Sequence, residues 1–212
     1  MKVGLTLLEP RISKRFNGLL LMRYTSGRSG TTANTDFQEL EKLVNQQPTP
    51  DRAAAKLAKL LKVQRTEVAL LRVQDGLLKF IYPAELRAAG AIPLSSNAVA
   101  ARTVTTRTSL LSNTFARINH VRHFESIRLE DDSESEAAKP APIQKLISVP
   151  VQRAKDEPVL GVIQISRKGL NVRLAGPDFT NDELQLTELA ATLIAQMEFM
   201  QLRTAAQAAA AK

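Results

Sequence analysis

The 212 residues are enough for one domain of about 150 residues with extensions. The chain has no Cys, which excludes thiol nucleophiles, disulfides, thiolate zinc sites and thioether-linked chromophores. A net charge of +8 permits non-specific attraction to nucleic acid, but with nine aromatic residues and no Trp we do not expect specific binding. Without a long apolar run or an export signal, we expect a cytoplasmic protein with no membrane contact.

The first 33 residues differ from the rest of the chain. They carry six Lys or Arg against one acidic residue, and their apolar residues show no sustained helical or strand period. They run into the Gly/Ser/Thr-rich stretch TSGRSGTTANT. This composition predicts a flexible basic arm over residues 1–33. We expect a single domain over 34–204, followed by an Ala-rich tail over 205–212.

Two helices are predicted at the start of this domain. Thr35 and Gln38 form a capping box, which predicts a helix over residues 35–46. Thr49 can cap a second helix with Pro50 at its first position, where the missing N–H costs nothing. Apolar residues then follow at helical spacing, namely Ala54, Leu57, Ala58 and Leu61.

A hairpin and a short helix follow. The segments EVALLRV and LLKFIY flank Asp75-Gly76, a favoured two-residue turn because both positions tolerate positive φ. The segment SSNAVAARTVTTR predicts a short helix that begins near Ser95 or Ser96, with a strand over residues 109–112 after it.

The second half predicts a loop, another hairpin and a closing helix. Residues 129–142 are rich in Ser, Glu, Ala and Pro and are expected to form a disordered acidic loop. Strands are expected over 146–152 and 159–166. Thr180 and Glu183 form a capping box for a closing helix over 180–204, with Phe179 placed to pack onto Leu184. The elements together indicate an α+β fold.

Three segments follow one another in a recognisable order: LISVPVQ, then EPVLGVIQISRK, then FTNDELQLTELA at the start of the closing helix. With these segments, the chain from about residue 51 to residue 201 resembles a GAF domain, the sensory module of phosphodiesterases, cyclases, histidine kinases and transcription activators. It implies a GAF-like fold: a central antiparallel sheet of five to six strands between N- and C-terminal helices and a layer of loops and a short helix.

The chain departs from the cyclic-nucleotide-binding members of that family. Arg167-Lys168 stands where those members have Asn-Lys, and Phe179 is followed by two residues rather than three before Asp182-Glu183. Asn113 stands where an Asp is usual. The chromophore-bearing and methionine sulfoxide reductase members need Cys, so neither activity is expected here.

The candidate ligand-binding residues surround a cavity expected between the sheet and residues 95–145. Ser95, Ser96 and Asn97 precede a helix whose N-terminus could bind an anion or simply be capped by them. Arg102 could face an anionic ligand or water. His123, in the loop region beside the cavity, completes the set, and the sequence identifies no cofactor.

The two histidines could also serve as metal ligands or as catalytic groups. His120 and His123 would share one face of a helix, with Glu125 nearby, and could belong to a zinc or iron site. Two His in a polar loop are more often solvated, so no metal site is expected. No nucleophile-elbow sequence supports a hydrolase, so we expect no catalytic residue.

The leading functional hypothesis is therefore a non-catalytic GAF-type sensory or regulatory module that binds a small molecule. The alternative is a protein-interaction and dimerisation module with a vestigial pocket that partners a transcription or signalling protein. The closing helix carries two apolar stripes. The first runs through Leu186, Leu189, Leu193, Met197 and Met200, and the second through Leu184, Ala191, Ala195, Phe199 and Leu202. The second stripe could be covered by helix 35–46 of the same chain. Alternatively, a second copy could cover it across a two-fold axis. We expect the latter, a homodimer formed through helices 35–46 and 180–204.

Overall fold

The fold is described from a computed structural model, which describes residues 30–117 and 141–201. The chain divides into two units, Met1–Thr35 and Asp36–Lys212. Most of the predicted arm (1–33), nearly all of the predicted acidic loop (129–142) and the whole tail (205–212) lie outside the described residues. Within the described ranges, no helix is long and apolar enough to cross a membrane.

The second unit is built on one antiparallel sheet of six strands. The strands are β1 Val68–Gln74, β2 Leu77–Tyr82, β3 Ala91–Pro93, β4 Leu110–Ser112, β5 Ile143–Val151 and β6 Gly161–Lys168. Their order across the sheet is β3-β2-β1-β6-β5-β4. The predicted α+β fold class is confirmed, although β3, a three-residue strand that ends in Pro, was not predicted.

Both predicted hairpins are present. Asp75 and Gly76 have φ of 54° and 74°, the positive values that a two-residue turn requires, and Gln74 pairs directly with Leu77. The β5–β6 hairpin has bounds shifted by a few residues from those predicted. Its strands are buried along almost their whole length, as expected of strands that are covered on both faces.

Four α-helices accompany the sheet: α1 Gly30–Val44, α2 Pro50–Leu61, α3 Val99–Thr106 and α4 Asn181–Ile194. The predicted cap of α2 is confirmed, since the Thr49 hydroxyl accepts a hydrogen bond from the Arg52 amide at 3.3 Å. The predicted start of α1 at Thr35 is wrong. The helix begins at Gly30, because no Pro breaks the preceding residues and a capping box permits a helix start without enforcing one.

The two faces of the sheet have different coverings. On one face, here called the α3 face, Leu71, Leu78 and Val162 form a cluster with Ala100 and Ala101 of α3. Side chains alternate along a strand, so the neighbouring residues point to the other face, here called the helical face. There the fully buried Leu70, Ile147, Ile163 and Ile165 lie under α2 and α4, which also contact each other.

The closing helix ends well before the predicted residue 204. After Ile194 the chain turns, and residues 198–200 form a 3₁₀ turn. The Arg72 guanidinium donates to the Phe199 carbonyl at 3.1 Å. A Cβ on Gly161 would lie 2.6 Å from Cε of Met200 and 2.0 Å from the Leu71 carbonyl oxygen, so only Gly allows this packing. These tertiary contacts outweigh the helix propensity of the segment.

Ion pairs join α1 to α2 on the outside of the helical layer. The Lys59 ammonium lies 2.7 Å from a carboxylate oxygen of Asp36, and the Lys56 ammonium pairs with Glu39. The hydrogen bond and charge of Lys56, with the charge of Lys59, hold the pKa of the Glu39 carboxyl below its ordinary value. Lys59 has a raised pKa because it donates to Asp36.

Candidate ligand-binding site

Three polar side chains from three elements meet on the α3 face. Ser148 of β5 and Gln164 of β6 are directly paired in the sheet, and Thr103 lies above them on α3. The Thr103 and Ser148 hydroxyl oxygens are 2.8 Å apart, and the Gln164 carboxamide nitrogen is 3.5 Å from the Ser148 oxygen. Thr103 and Ser148 are almost completely buried, whereas Gln164 is half-buried.

The directions of these hydrogen bonds follow from the number of protons available. The Thr103 hydroxyl donates its one proton to the Val99 carbonyl at 2.9 Å. Ser148 must therefore be the donor to Thr103, and its remaining lone pair can accept from Gln164. Within the described residues, the Gln164 carbonyl oxygen and one of its N–H groups have no hydrogen-bond partner. We call Thr103, Ser148 and Gln164 the polar network.

A small cavity of about 100 Å³ adjoins the network between α3 and β4. Thr103 belongs to both, and Arg102 borders the cavity with an exposed side chain. The remaining lining residues are Val99, Thr106, Thr108, Ser109 and Leu110. Drug-sized ligands usually occupy about 300–1,000 Å³, so this space fits only a small molecule or part of one.

The structure places the predicted site residues differently. Ser95, Ser96 and Asn97 lie in the turn before α3 and do not line the cavity, and Ser95 and Asn97 are exposed. The predicted helix start near Ser95 or Ser96 is wrong, because the Ser96 amide donates to the Pro93 carbonyl at 3.0 Å and so closes a turn. The helix begins at Val99 instead.

Of the predicted set, Arg102 is the residue that borders the cavity. His123 lies outside the described residues, as do His120 and Glu125. In the ranges that the structure does describe, no group of three His, Asp or Glu side chains could hold a metal ion.

The polar network was missed in the sequence, although β5 contained a signal for it. Ser148 is a polar residue within the apolar segment LISVPV, and a buried polar side chain needs a hydrogen-bond partner. Nothing in the local sequence identified that partner, because Thr103 is 45 residues away.

The positions that correspond to the cyclic-nucleotide motif have a structural role here. The Arg167 guanidinium lies 4.2 Å from the centroid of the Phe179 ring, donates to Glu183 at 2.8 Å and also donates to the Pro177 carbonyl. The second Glu183 oxygen accepts from the Thr180 amide at 2.7 Å, which confirms the predicted capping box. These groups attach β6 to the start of α4 and are not free to bind a nucleotide.

Two further contacts strengthen the same junction. The Asn113 carboxamide accepts from the Phe179 amide at 2.8 Å and donates to the Phe179 carbonyl at 3.0 Å. The ammonium of Lys145, a buried residue, donates to Asp178 at 2.7 Å and to the Gly176 carbonyl at 2.6 Å.

The end of β6 is also bound to the turn before β1. The Lys168 ammonium donates to the Thr66 carbonyl, and burial lowers the pKa of Lys168.

The sequence model of the GAF domain matches residues 49–197. The chain therefore belongs to the GAF domain family, whose members are generally sensory or regulatory modules that bind small molecules. No curated protein matches the sequence significantly.

Solved structures agree with this fold. The GAF domain of an Acinetobacter phosphoenolpyruvate-protein phosphotransferase has a TM-score of 0.55 at 12% identity, covering 79% of this chain and 93% of that one. The corresponding domain from Coxiella burnetii has a TM-score of 0.55 at 11% identity, covering 85% and 98%. The free methionine-R-sulfoxide reductase from Neisseria meningitidis, solved with its substrate, has a TM-score of 0.50 at 13% identity, covering 79% of this chain and 89% of that one. The fold is thus shared by an enzyme as well as by GAF domains of other proteins.

Proposed function

We propose that this GAF domain is a non-catalytic sensory module that binds a small molecule on the α3 face. The proposal depends on one observation: Thr103 of the polar network also lines a cavity, and the network includes the incompletely hydrogen-bonded Gln164. Within the described residues, the Thr103 and Ser148 hydroxyls contact neither a His nor a carboxylate that could activate them as nucleophiles.

The cavity indicates the kind of ligand. A neutral amide or hydroxyl group of the ligand would complete the hydrogen bonds of Gln164, and Arg102 at the border could pair with an anionic group. A ligand with no polar group would leave the Gln164 amide without partners, which disfavours it. We expect a small polar metabolite rather than a cyclic nucleotide.

We propose that ligand binding is signalled through a homodimer formed by α1 and the C-terminal segment. Leu184 and Phe199 of the second predicted stripe are half-buried and could pack against a second copy. Ala191 and Ala195 of that stripe are already buried within the chain, so the apolar surface left for a partner is smaller than the sequence predicted. A separate signalling protein in the cytoplasm would receive the signal.

Native mass spectrometry of the full chain purified from cell extract tests ligand and dimer together. We expect the mass of a dimer with one retained small molecule per chain. Gln164→Leu should release the molecule and leave the dimer intact. Gln185→Leu, the same change at an exposed position on α4, is the control and should release nothing.

The same spectra distinguish the alternative function. A dimer with no retained molecule, unaffected by Gln164→Leu, would favour the interaction module with a vestigial pocket. A wild-type monomer would contradict the dimer, and retention of the molecule by Gln164→Leu would contradict the proposed site. Phe199→Glu should produce a monomer if that residue lies in the interface.

A further inference from the structure

A second concave surface lies on the opposite side of the sheet from the polar network. It is an open groove of about 510 Å³ at the β1–β2–β3 end of the sheet, bordered by Arg72, Lys79 and Arg87, with Phe80, Ile81, Gly90 and Ala91. Leu78 and Phe80, on either side of Lys79, belong to the cluster beneath α3. Strand alternation therefore directs Lys79 to the other face. We call this surface the cationic groove.

Two of its cations are directly opposite each other. Arg72 of β1 and Lys79 of β2 are paired residues in the antiparallel ladder, and both side chains are half-buried. Like charges at directly opposed positions destabilise a sheet. Arg87, from the turn between β2 and β3, adds a third positive charge to the same groove. An unfavourable pair of this kind has a natural explanation if an anion lies between the two cations.

No protein carboxylate supplies that anion within the described residues. None of the three cations forms an ion pair there, and no Asp or Glu lines the groove. Arg72 donates to the Phe199 carbonyl and, at 3.5 Å, to Gln74, while Arg87 donates to the Ile81 carbonyl at 2.8 Å. These bonds orient the guanidinium groups without neutralising them.

Arg72 also has a donor that the protein does not satisfy. Within the described residues its Nε is buried and has no hydrogen-bond partner. A buried donor without a partner is rare, and an unseen water or ion is one explanation for it. This observation is independent of the like-charge pair and concerns a residue that borders the same groove.

We propose that the cationic groove binds a compact anion with two or more phosphate groups. Guanidinium groups match the paired oxygens of a phosphate, and the Lys79 ammonium can interact with a second phosphate from any direction. The site is separate from the polar network and does not depend on the function proposed above.

Isothermal titration of the full chain with pyrophosphate at about physiological salt tests the proposal. We expect saturable binding at one site per chain. Lys79→Gln and Arg87→Gln should each weaken it by about tenfold or more, because each removes a charge-assisted contact. Lys155→Gln makes the same charge change in the exposed β5–β6 turn and should alter the affinity less than about twofold.

Melting temperatures give a second, independent measurement. Without pyrophosphate, Lys79→Gln should melt about 1–3 °C higher than the wild type because it removes the repulsion with Arg72, whereas Lys155→Gln should not. With pyrophosphate, the wild type should gain more than the Lys79→Gln variant.

Three results would overturn the proposal. The first is no binding of pyrophosphate at millimolar concentrations. The second is equal weakening in all three variants, which would mean that only the net charge attracts the anion. The third is binding to duplex DNA with no binding to pyrophosphate, which would assign the groove to a nucleic-acid backbone.

Discussion

The same two strands present different chemistry to the two faces of the sheet. On the helical face, β5 and β6 contribute Ile147, Val149, Ile163 and Ile165, all buried and apolar. On the α3 face the alternate positions include the polar Ser148 and Gln164, which are hydrogen-bonded beneath Thr103. The period of two in a strand thus gives one face of β5 and β6 an apolar surface under the helices and the other face polar groups beneath α3.

The largest expected effect on stability comes from a substitution at the junction between β6 and the start of α4, which supports the helical face. Phe179 is buried, its ring lies beneath the Arg167 guanidinium, and its backbone is bound on both sides by Asn113. We expect Phe179→Ala to lower the free energy of unfolding by about 3–4 kcal/mol, because it leaves a cavity and removes the cation–π contact. Urea denaturation measures the loss.

Leu174→Ala is the control for this variant. Leu174 is 65% exposed in the loop just before this junction, so its truncation should change stability by less than about 0.5 kcal/mol. A loss below about 1 kcal/mol for Phe179→Ala would mean that the junction is not what stabilises this face.

A smaller effect is expected on the α3 face. Ser148→Ala removes the donor to Thr103 and should cost about 1–2 kcal/mol. Combining it with Thr103→Val should cost less than the sum of the two single changes, by about 1 kcal/mol, because both remove the same hydrogen bond. Denaturation of the two single variants and the double variant measures this coupling.

Ser112→Ala provides the comparison, since Ser112 lies on the neighbouring strand, is half-buried and has no hydrogen bond from its side chain in the described structure. It should change stability by less than about 0.5 kcal/mol. Additive costs in the double variant would contradict the network.

Local signals in the sequence predicted much of the fold. The start of α4 is set by Thr180 and Glu183, three residues apart, and the first hairpin by Asp75-Gly76. The end of α4 could not be predicted in this way. Its residues favour helix, but the contact of Arg72 with Phe199 spans 127 residues and fixes a different conformation. Boundaries that depend on such tertiary contacts are not visible in a sequence window.

The candidate site was less predictable than the fold for the same reason. Arg102 lies on a recognisable short helix and borders the cavity, while its role in binding stays a prediction. Ser148 and Gln164 are ordinary residues within strands and acquire significance only when the sheet pairs them beneath Thr103. The pairing of β5 with β6 was predicted, but the position of α3 above that pair was not.

The smallest expected effect concerns the exposed ion pairs of the helical layer. The pKa of Glu39 lies below its ordinary value of 4.5, chiefly because Lys56 donates to its carboxylate. Folding therefore favours the charged form of Glu39. Its contribution to stability is fully present above about pH 4.5 and is lost as the pH falls through the lowered pKa. Because these side chains are exposed, the effect should be modest and should weaken further in high salt.

Urea midpoints measured from neutral pH down to about pH 3 test this dependence on Glu39. On acidification, Glu39→Gln should lose less stability than the wild type. Near neutral pH, the urea midpoint should depend on pH with nearly the same slope in both proteins. Glu41→Gln changes an exposed carboxylate on the same helix that forms no ion pair in the described structure, so it should keep the slope of the wild type. Equal slopes for the wild type and Glu39→Gln would show that the pair with Lys56 does not act in solution.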